Sequence, residues 1–445
     1  MRDPKYRVNL RHISTKNQRT VRQLTRELRR AESPGDVADL SDKIDMIYRV
    51  AFATHGKAEL AKTRAWIEAK YDADAYGRPM MEALIYSGDF ATYREKAIEQ
   101  LKDTPNDVPT RAAYVRAQLL MGEVALATDA AKTLLTDVTL DNGQTPQESR
   151  FMASHLVAVG EAAWLRRTFP LVASRTWQCR YSRHLKRPTR PGVKTFCINM
   201  DRDTTRLTRA RAMLAPGVDF HRSPGVSGVA VPEVLLQQAG LEVTVARKAQ
   251  VGCHLSHIRA WERIRDDVPE GEYGLVAEDD AHFTCGPGVG LHEAIECART
   301  QGLDLLFINE EANYFMPLPA SVDDLAAVTV EDALASVGDN VQTGWGGEGY
   351  LLTPKGAAEL IDMSMKFGIL AGLDWQIALY AMTDLTGDAL RHSKFGPAPQ
   401  RIAAAREAEP GKYHIRGGVL NLALMTQNDL GYKTHNVEVS VARSK

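Results

Sequence analysis

The hydrophobic pattern of this 445-residue chain changes its period once, and that change sets the architecture. Before residue 175, apolar residues recur at three- and four-residue steps, as in Val115, Leu119 and Leu120, then Val124, Ala127 and Ala131. That spacing puts them on one face of a helix. After residue 193, short apolar runs end in polar clusters and alternate with helical stretches, the pattern of an α/β sheet. Between the two lies RTWQCRYSRHLKRPTRPGVK (175–194), with seven Arg/Lys and no acid; Pro188, Pro191 and Gly192 break any helix there. The expected layout is a basic arm over 1–35, a helical domain over 36–174, a basic linker over 175–192 and an α/β domain over 193–445.

Within the helical part the turn glycines repeat. Gly56, Gly88, Gly122 and Gly160 are 32, 34 and 38 residues apart, and each lies between two apolar helical stretches. A period near 34 is the spacing of tetratricopeptide-like repeats. A plain bundle of antiparallel helix pairs has a similar period, and the regular Trp, Tyr and Pro set of the repeat is missing. A repeat array would offer a concave face for a protein partner or for self-association.

Charge narrows the partners. The first 30 residues carry ten Arg/Lys and two acids, a net of +8, on a chain whose overall net charge is −1. Residues 21–28, with Arg22, Arg26, Arg29 and Arg30 around them, read as a basic amphipathic helix. Two basic segments on an acidic body suit peripheral contact with an anionic membrane or a phosphate-bearing acceptor, although solvated basic segments have the same composition. No zinc motif or RNA-reading aromatic pattern accompanies them, so no nucleic-acid partner is expected. No apolar run reaches the 18 residues a membrane span needs, and the N-terminus has no apolar core of a secretory signal. The five cysteines (179, 197, 253, 285 and 297) form no CxxC pair. These features favour a reducing cytoplasm over a disulfide framework or a cysteine-pair zinc site.

In the α/β part, Val193–Met200, Tyr273–Ala277, Leu303–Asn309 and Gly349–Thr353 read as strands of a mostly parallel sheet, with helices over Asp203–Leu214 and Pro354–Met365. Ligands of such sheets bind beyond the carboxyl ends of the strands. At one such end Leu275-Val276-Ala277 runs straight into Glu278-Asp279-Asp280. Adjacent carboxylates repel, and a hard divalent cation such as Mn²⁺ or Mg²⁺ would hold them together. A solvated acidic turn would account for the same residues. At another end Asn199-Met200-Asp201-Arg202 leads into a helix carrying Arg206; this suits contact with a nucleotide and its phosphates, or an ordinary capped helix. A third cluster, Gly252-Cys253-His254-Leu255-Ser256-His257, opens a helix, and Gly252 permits close backbone approach there. Its His254 and His257, three apart, have the spacing of a metal pair, and also that of two structural histidines.

These segments occur together and in order: NMDRDTTRLTRARAML, QVGCHLSHIRAWERI, LVAEDDAHF, GGEGYLLTPKGAAELI and Leu373-Asp374-Trp375. The series resembles glycosyltransferase family 25, which includes lipopolysaccharide glycosyltransferases and procollagen galactosyltransferases. The resemblance covers about residues 193–400. It implies a GT-A-like fold, a nucleotide-sugar donor (commonly UDP-galactose) and transfer with inversion to a glycan, a lipid-linked glycan or a protein. It further implies that Asn199, Asp201 and Arg202 line the nucleotide end, with Arg202 or Arg206 adding charge at the phosphates. Asp280, with Asp279 or Glu278, would hold Mn²⁺ or Mg²⁺ on the diphosphate. Gly252, Ser256 and His257 would shape the donor pocket, and Asp374, or failing it Glu348, would be the base. The rival expectation is a scaffold that binds a nucleotide-sugar without turning it over. A nucleotidyltransferase would more often carry a glycine-rich phosphate loop after its first strand, and NMDRDTTR has none.

Overall fold

The computed structural model describes residues 15–32, 40, 43–44, 47–48, 61–71, 81, 83–85, 89–138, 147–169, 184–188, 192–228, 230–243, 248–313, 324–337, 345–385, 395 and 397–427. Contacts divide the chain into two compact units, one reaching to Met121 and one running from Gly122 to Asn428. Among the described residues no helix is long and apolar enough to cross a membrane.

The first unit is helical where it is described. α1 (Thr15–Arg30) ends in Arg29 and Arg30, which complement its C-terminal dipole. Its Leu28 is fully buried among Ile44, Tyr48 and Ile67. The Tyr71 hydroxyl donates to the Leu28 carbonyl at 2.8 Å, and the Arg29 guanidinium sits 5.3 Å over the Trp66 ring. The second half of the expected basic arm is thus a helix docked by its apolar face. α2 (Phe90–Asp103) and α3 (Val108–Leu120) pack on each other. Asp89 and Asp107 cap them, accepting from the backbone N–H of Thr92 at 3.3 Å and Thr110 at 3.0 Å.

The second unit opens with α4 (Val124–Val138), α5 (Gln147–Ala158) and α6 (Ala162–Thr168), in sequential contact. Gly122 and Gly160 stand in the turns before α4 and α6 with φ of +82° and +90°, where a side chain is strained. Gly56 and Gly88 lie outside the described residues. The division at 121/122 differs from the boundary expected at 175–192. The described part of that stretch, 184–188, is packed: Leu185 is buried beside Cys197 and Leu291, and the Lys186 N–H donates to Glu293 Oε1 at 2.7 Å. A basic, proline-bearing sequence reads as a linker, but one buried leucine anchors it.

The core of this unit is a seven-stranded sheet. Its strands are β1 (Lys194–Asn199), β2 (Asp219–Pro224), β3 (Gly274–Glu278), β5 (Leu305–Phe307), β6 (Ala327–Thr329), β7 (Gly349–Leu352) and β8 (Gly417–Leu420), in the order β2-β1-β3-β7-β5-β8-β6. β4 (Ala281–Phe283) and β9 (Met425–Gln427) pair separately. The sheet is mixed rather than mostly parallel: β7 runs antiparallel to both β3 and β5, and β6 is antiparallel to β8. Side-chain alternation along the strands feeds two cores. Phe196, Val276, Phe307 and Tyr350 face one core, with Ala260 and Trp261 of α8 (Lys248–Asp267) and residues of α10 (Pro354–Phe367) and α11 (Leu373–Ala381). Cys197, Leu275, Ala277, Leu306 and Leu351 face the other, with Ala210 and Leu214 of α7 (Thr204–Leu214) and Ala294 and Ala298 of α9 (Leu291–Gln301). Helices therefore cover both faces, which is why the central strands are apolar throughout.

Candidate active site

β1 and β3 run side by side and parallel, with Ile198 opposite Glu278. Their carboxyl ends therefore deliver Asn199 and Asp279 to the same rim. Asn199 Nδ2 donates to Asp279 Oδ2 at 2.7 Å and to the Asp203 carbonyl at 3.0 Å. Its Oδ1 accepts from Arg222 Nε at 3.0 Å. The amide is committed to protein partners, so Asn199 holds the acids in place.

α7 starts just beyond this rim and turns Arg206 and Arg209 inward, three residues apart on one face. Both are buried. Arg206 Nη2 pairs with Asp279 Oδ1 and with Asp280 Oδ2, the latter at 2.9 Å, and Arg209 Nη2 donates to the Asp279 carbonyl at 3.2 Å. Burial pushes the Asp279 carboxyl up to about 7, against the pull of Arg206 and with the push of Asp280. Burial also raises Asp280, with Glu278 adding to the rise. Asp280 Oδ1 is enclosed and has no hydrogen-bond partner among the described residues. Buried Asp279 and half-buried Asp280 share one guanidinium and still leave an oxygen that can accept a further donor or cation. Asp201 and Arg202 are exposed, and Asp201 pairs with Arg222.

α8 contributes from the other core. Gly252 lies under the segment that follows β2: a Cβ there would stand 2.5 Å from the Gly228 nitrogen and the Val226 oxygen. Ser256 fixes the same segment, accepting from the Val226 N–H at 2.8 Å and donating to the Gly252 carbonyl at 2.6 Å. Both residues shape the rim through the backbone they support. His257 is 1% exposed. Its Nδ1 is 2.8 Å from the Tyr350 hydroxyl, which also accepts from Trp261 Nε1 at 2.6 Å. Its Nε2 lies 3.5 Å from Glu278 Oε1. His254 is buried, which lowers it to about 3, and the donors grouped with His257 are Cys253 and Glu278 rather than His254.

The remaining wall is the segment 345–348, which enters β7. Gly346 has φ of +80°, and a Cβ there would collide with Glu348 Oε2 and Asn309 Nδ2. Gly347 passes so close to Glu278 Oε1 that a Cβ would stand 3.3 Å away. Asp374, in the first turn of α11, accepts from the N–H groups of Trp345 (2.9 Å) and Gly346 (3.3 Å) through Oδ2. Glu348 is fully buried; Asn309 Nδ2 donates to its Oε2 at 3.1 Å. Burial and the neighbouring Glu311 raise its carboxyl well above the usual range.

The structure thus gathers Asn199, Arg206, Asp279 and Asp280 into one cluster, and His257, Glu278 and the 345–348 segment into its neighbour. Arg209, Arg222, Asn309 and Tyr350 were not singled out in the sequence. Arg209 is foreshadowed by its three-residue spacing from Arg206; the others have no local signal.

No curated protein and no solved structure matches the chain. The family model described as glycosyltransferase family 25 (LPS biosynthesis protein) matches residues 193–374, from β1 to the first turn of α11, which spans every residue of this rim. Residues 193–374 therefore form a glycosyltransferase domain of the family 25 type.

Proposed function

We propose that this domain transfers a hexose, galactose by preference, from a UDP-sugar to a hydroxyl of a glycan, lipid-linked glycan or protein, with inversion and with a divalent cation. The observation that carries the cation is Asp280 Oδ1, enclosed beside Glu278 and Asp279 with no hydrogen-bond partner among the described residues. Carboxylate oxygens suit Mn²⁺ or Mg²⁺, so Asp280 and Glu278 would hold the ion. Bound there, the ion would neutralise charge on the departing diphosphate. Asn199, Arg206 and Arg209 keep Asp279 and Asp280 fixed, so no side-chain reorganisation accompanies the reaction.

Asp374 is the better base of the two acids. Its Oδ2 is held by the Trp345 and Gly346 N–H groups. Its other oxygen would take the acceptor hydroxyl's proton as the acceptor oxygen bonds to the anomeric carbon and the sugar–phosphate bond breaks. Glu348 is fully buried, and burial raises its carboxyl well above the usual range, which suits a structural role. The helical segments would recruit a protein partner or a second copy, and the basic N-terminal segment an anionic membrane surface.

Titration calorimetry with UDP and a UDP-sugar panel, with Mn²⁺ or EDTA, tests this on the wild type and Asp280→Ala. The expected result is Mn²⁺-dependent binding of one UDP-sugar, abolished by the substitution. Tight binding without turnover of any acceptor would favour the scaffold reading. No binding of any nucleotide would overturn the site.

A further inference from the structure

Beside the acidic cluster lies a second set of donors with different chemistry. Cys253 and His257 are one helical turn apart on α8 and so share a face, the i, i+4 spacing that places two ligands on one ion. Glu278 meets them from the end of β3. A ligand atom of each residue lies within 4.8 Å of the other two. The His257 Nε2 to Glu278 Oε1 separation of 3.5 Å is close to the edge of a zinc tetrahedron. Two metal bonds of about 2.0–2.1 Å meeting at a tetrahedral angle span roughly 3.3 Å.

His257 provides the independent sign of a ligand. The ring is 1% exposed and its Nε2 has no hydrogen-bond partner among the described residues. A phenol oxygen can accept two hydrogen bonds. Trp261 donates to the Tyr350 hydroxyl, and in the His257 tautomer whose Nδ1–H donates to the same oxygen the Nε2 lone pair faces Glu278. A hydrogen bond from the second ring nitrogen is how proteins orient a metal-binding histidine. Glu278 is 27% exposed, which leaves an approach from the rim.

We propose that Cys253, His257 and Glu278 form a site for a soft divalent cation of the Zn²⁺ class, distinct from the hard-cation position at Asp280. Thiolate and imidazole select zinc over magnesium or manganese. Three protein ligands leave a fourth position open, and sharing Glu278 makes occupancy of the two sites competitive. The assignment rests on these donors and does not depend on transferase activity.

The test uses the full chain, reduced and stripped with chelator, titrated with Co²⁺ as a spectroscopic stand-in for zinc. The expected result is a saturable thiolate-to-cobalt charge-transfer band at one equivalent. Cys253→Ser should lose it, and Asp280→Asn should keep it. Because Cys253→Ser could misfold, alkylation of the wild type is followed peptide by peptide: Zn²⁺ should protect Cys253 and Mg²⁺ should not. Absence of the band, its persistence in Cys253→Ser, its loss in Asp280→Asn, or unchanged alkylation of Cys253 with Zn²⁺ would each overturn the proposal.

Discussion

Arg206 reaches two carboxylates at once, pairing with Asp279 and lying 2.9 Å from Asp280 Oδ2, and it does so from a helix that begins after the neighbouring strand. Removing one partner of a buried ion pair leaves an uncompensated charge, at a cost of about 3–5 kcal/mol. Arg206→Met should therefore lower the melting temperature strongly. Adding Asp279→Asn should recover part of the loss, a non-additivity that a double-mutant cycle by differential scanning fluorimetry would measure. Additive effects would mean that the pair is not coupled.

The tie between the strands has its own cost. Asn199→Ala removes the donor to Asp279 and the acceptor for Arg222. Leaving buried groups unpaired costs about 1–3 kcal/mol. The variant should be less stable and should lose nucleotide affinity, because Asp279 is no longer fixed. Wild-type affinity by calorimetry would show that the tie is dispensable.

Stability should depend on pH with a defined sign. Asp279 in the folded protein sits at about 7, above its unfolded value near 3.8. Between these values this carboxyl binds more protons in the folded state than in the unfolded state, so its contribution to stability falls as pH rises from about 4 to 7. Buried His155, His254 and His282, lowered to about 4, 3 and 3, act in the opposite direction, so the contribution of Asp279 is read against Asp279→Asn: without metal, the wild type should lose melting temperature relative to that variant as pH rises from 5 to 7.5. Saturating Mn²⁺ should raise the melting temperature more at pH 7.5, where the acids are ionised. A difference between wild type and Asp279→Asn that stays constant with pH would contradict the burial of this acid.

Gly252→Ala places a methyl group 2.5 Å from the Gly228 nitrogen and the Val226 oxygen, and neither backbone atom can swing away as a side-chain end would. Overpacking of this kind costs typically 1–3 kcal/mol. The segment after β2 should shift, and donor affinity should fall more than acceptor affinity. Equal weakening of both would place the damage elsewhere.

The helices over 124–168 lie in the same compact unit as the sheet. A Cβ on Gly122 would stand 3.1 Å from Thr208 Cγ2 of α7, and one on Gly160 3.7 Å from Pro287. A fragment spanning 122–428 should melt cooperatively, whereas one beginning at residue 176 should uncover the Thr208 side of α7 and the Pro287 turn and melt at a lower temperature. Equal melting of the two would refute this.

Much of the fold was legible because its central strands are apolar runs that stop at polar residues. Val193–Met200, Tyr273–Ala277 and Gly349–Thr353 each fall on an observed strand within one or two residues. β2 was missed because its sequence, DFHRSP, lies at the sheet edge with only Ser223 buried. β4, β6 and β9 are three residues long, too short for a period to register. Strand direction carries no local signature, so the reversal of β7 was invisible. Of the site, the acids and the α8 cluster were readable as dense polar motifs. The roles of Asn199, Gly252 and Ser256 as supports were not, since they depend on contacts spanning 80, 24 and 30 residues. The absence of a CxxC pair argued against a cysteine-pair zinc site, but a lone Cys253 meeting His257 and a strand-end acid leaves no such spacing to find.

Because β7 runs against β3, with Ala277 opposite Gly349, the chain enters the rim at 345–348 where it leaves it at Glu278. The ladder between these strands acts as the site's ruler. A slip of one residue would carry Gly347 and Glu348 along the rim by about 3.4 Å and turn each side chain to the opposite face. The spacing of Glu278 and Gly347 is therefore set by strand register, and changes of length in the segments leading to β7 can accumulate without detuning it.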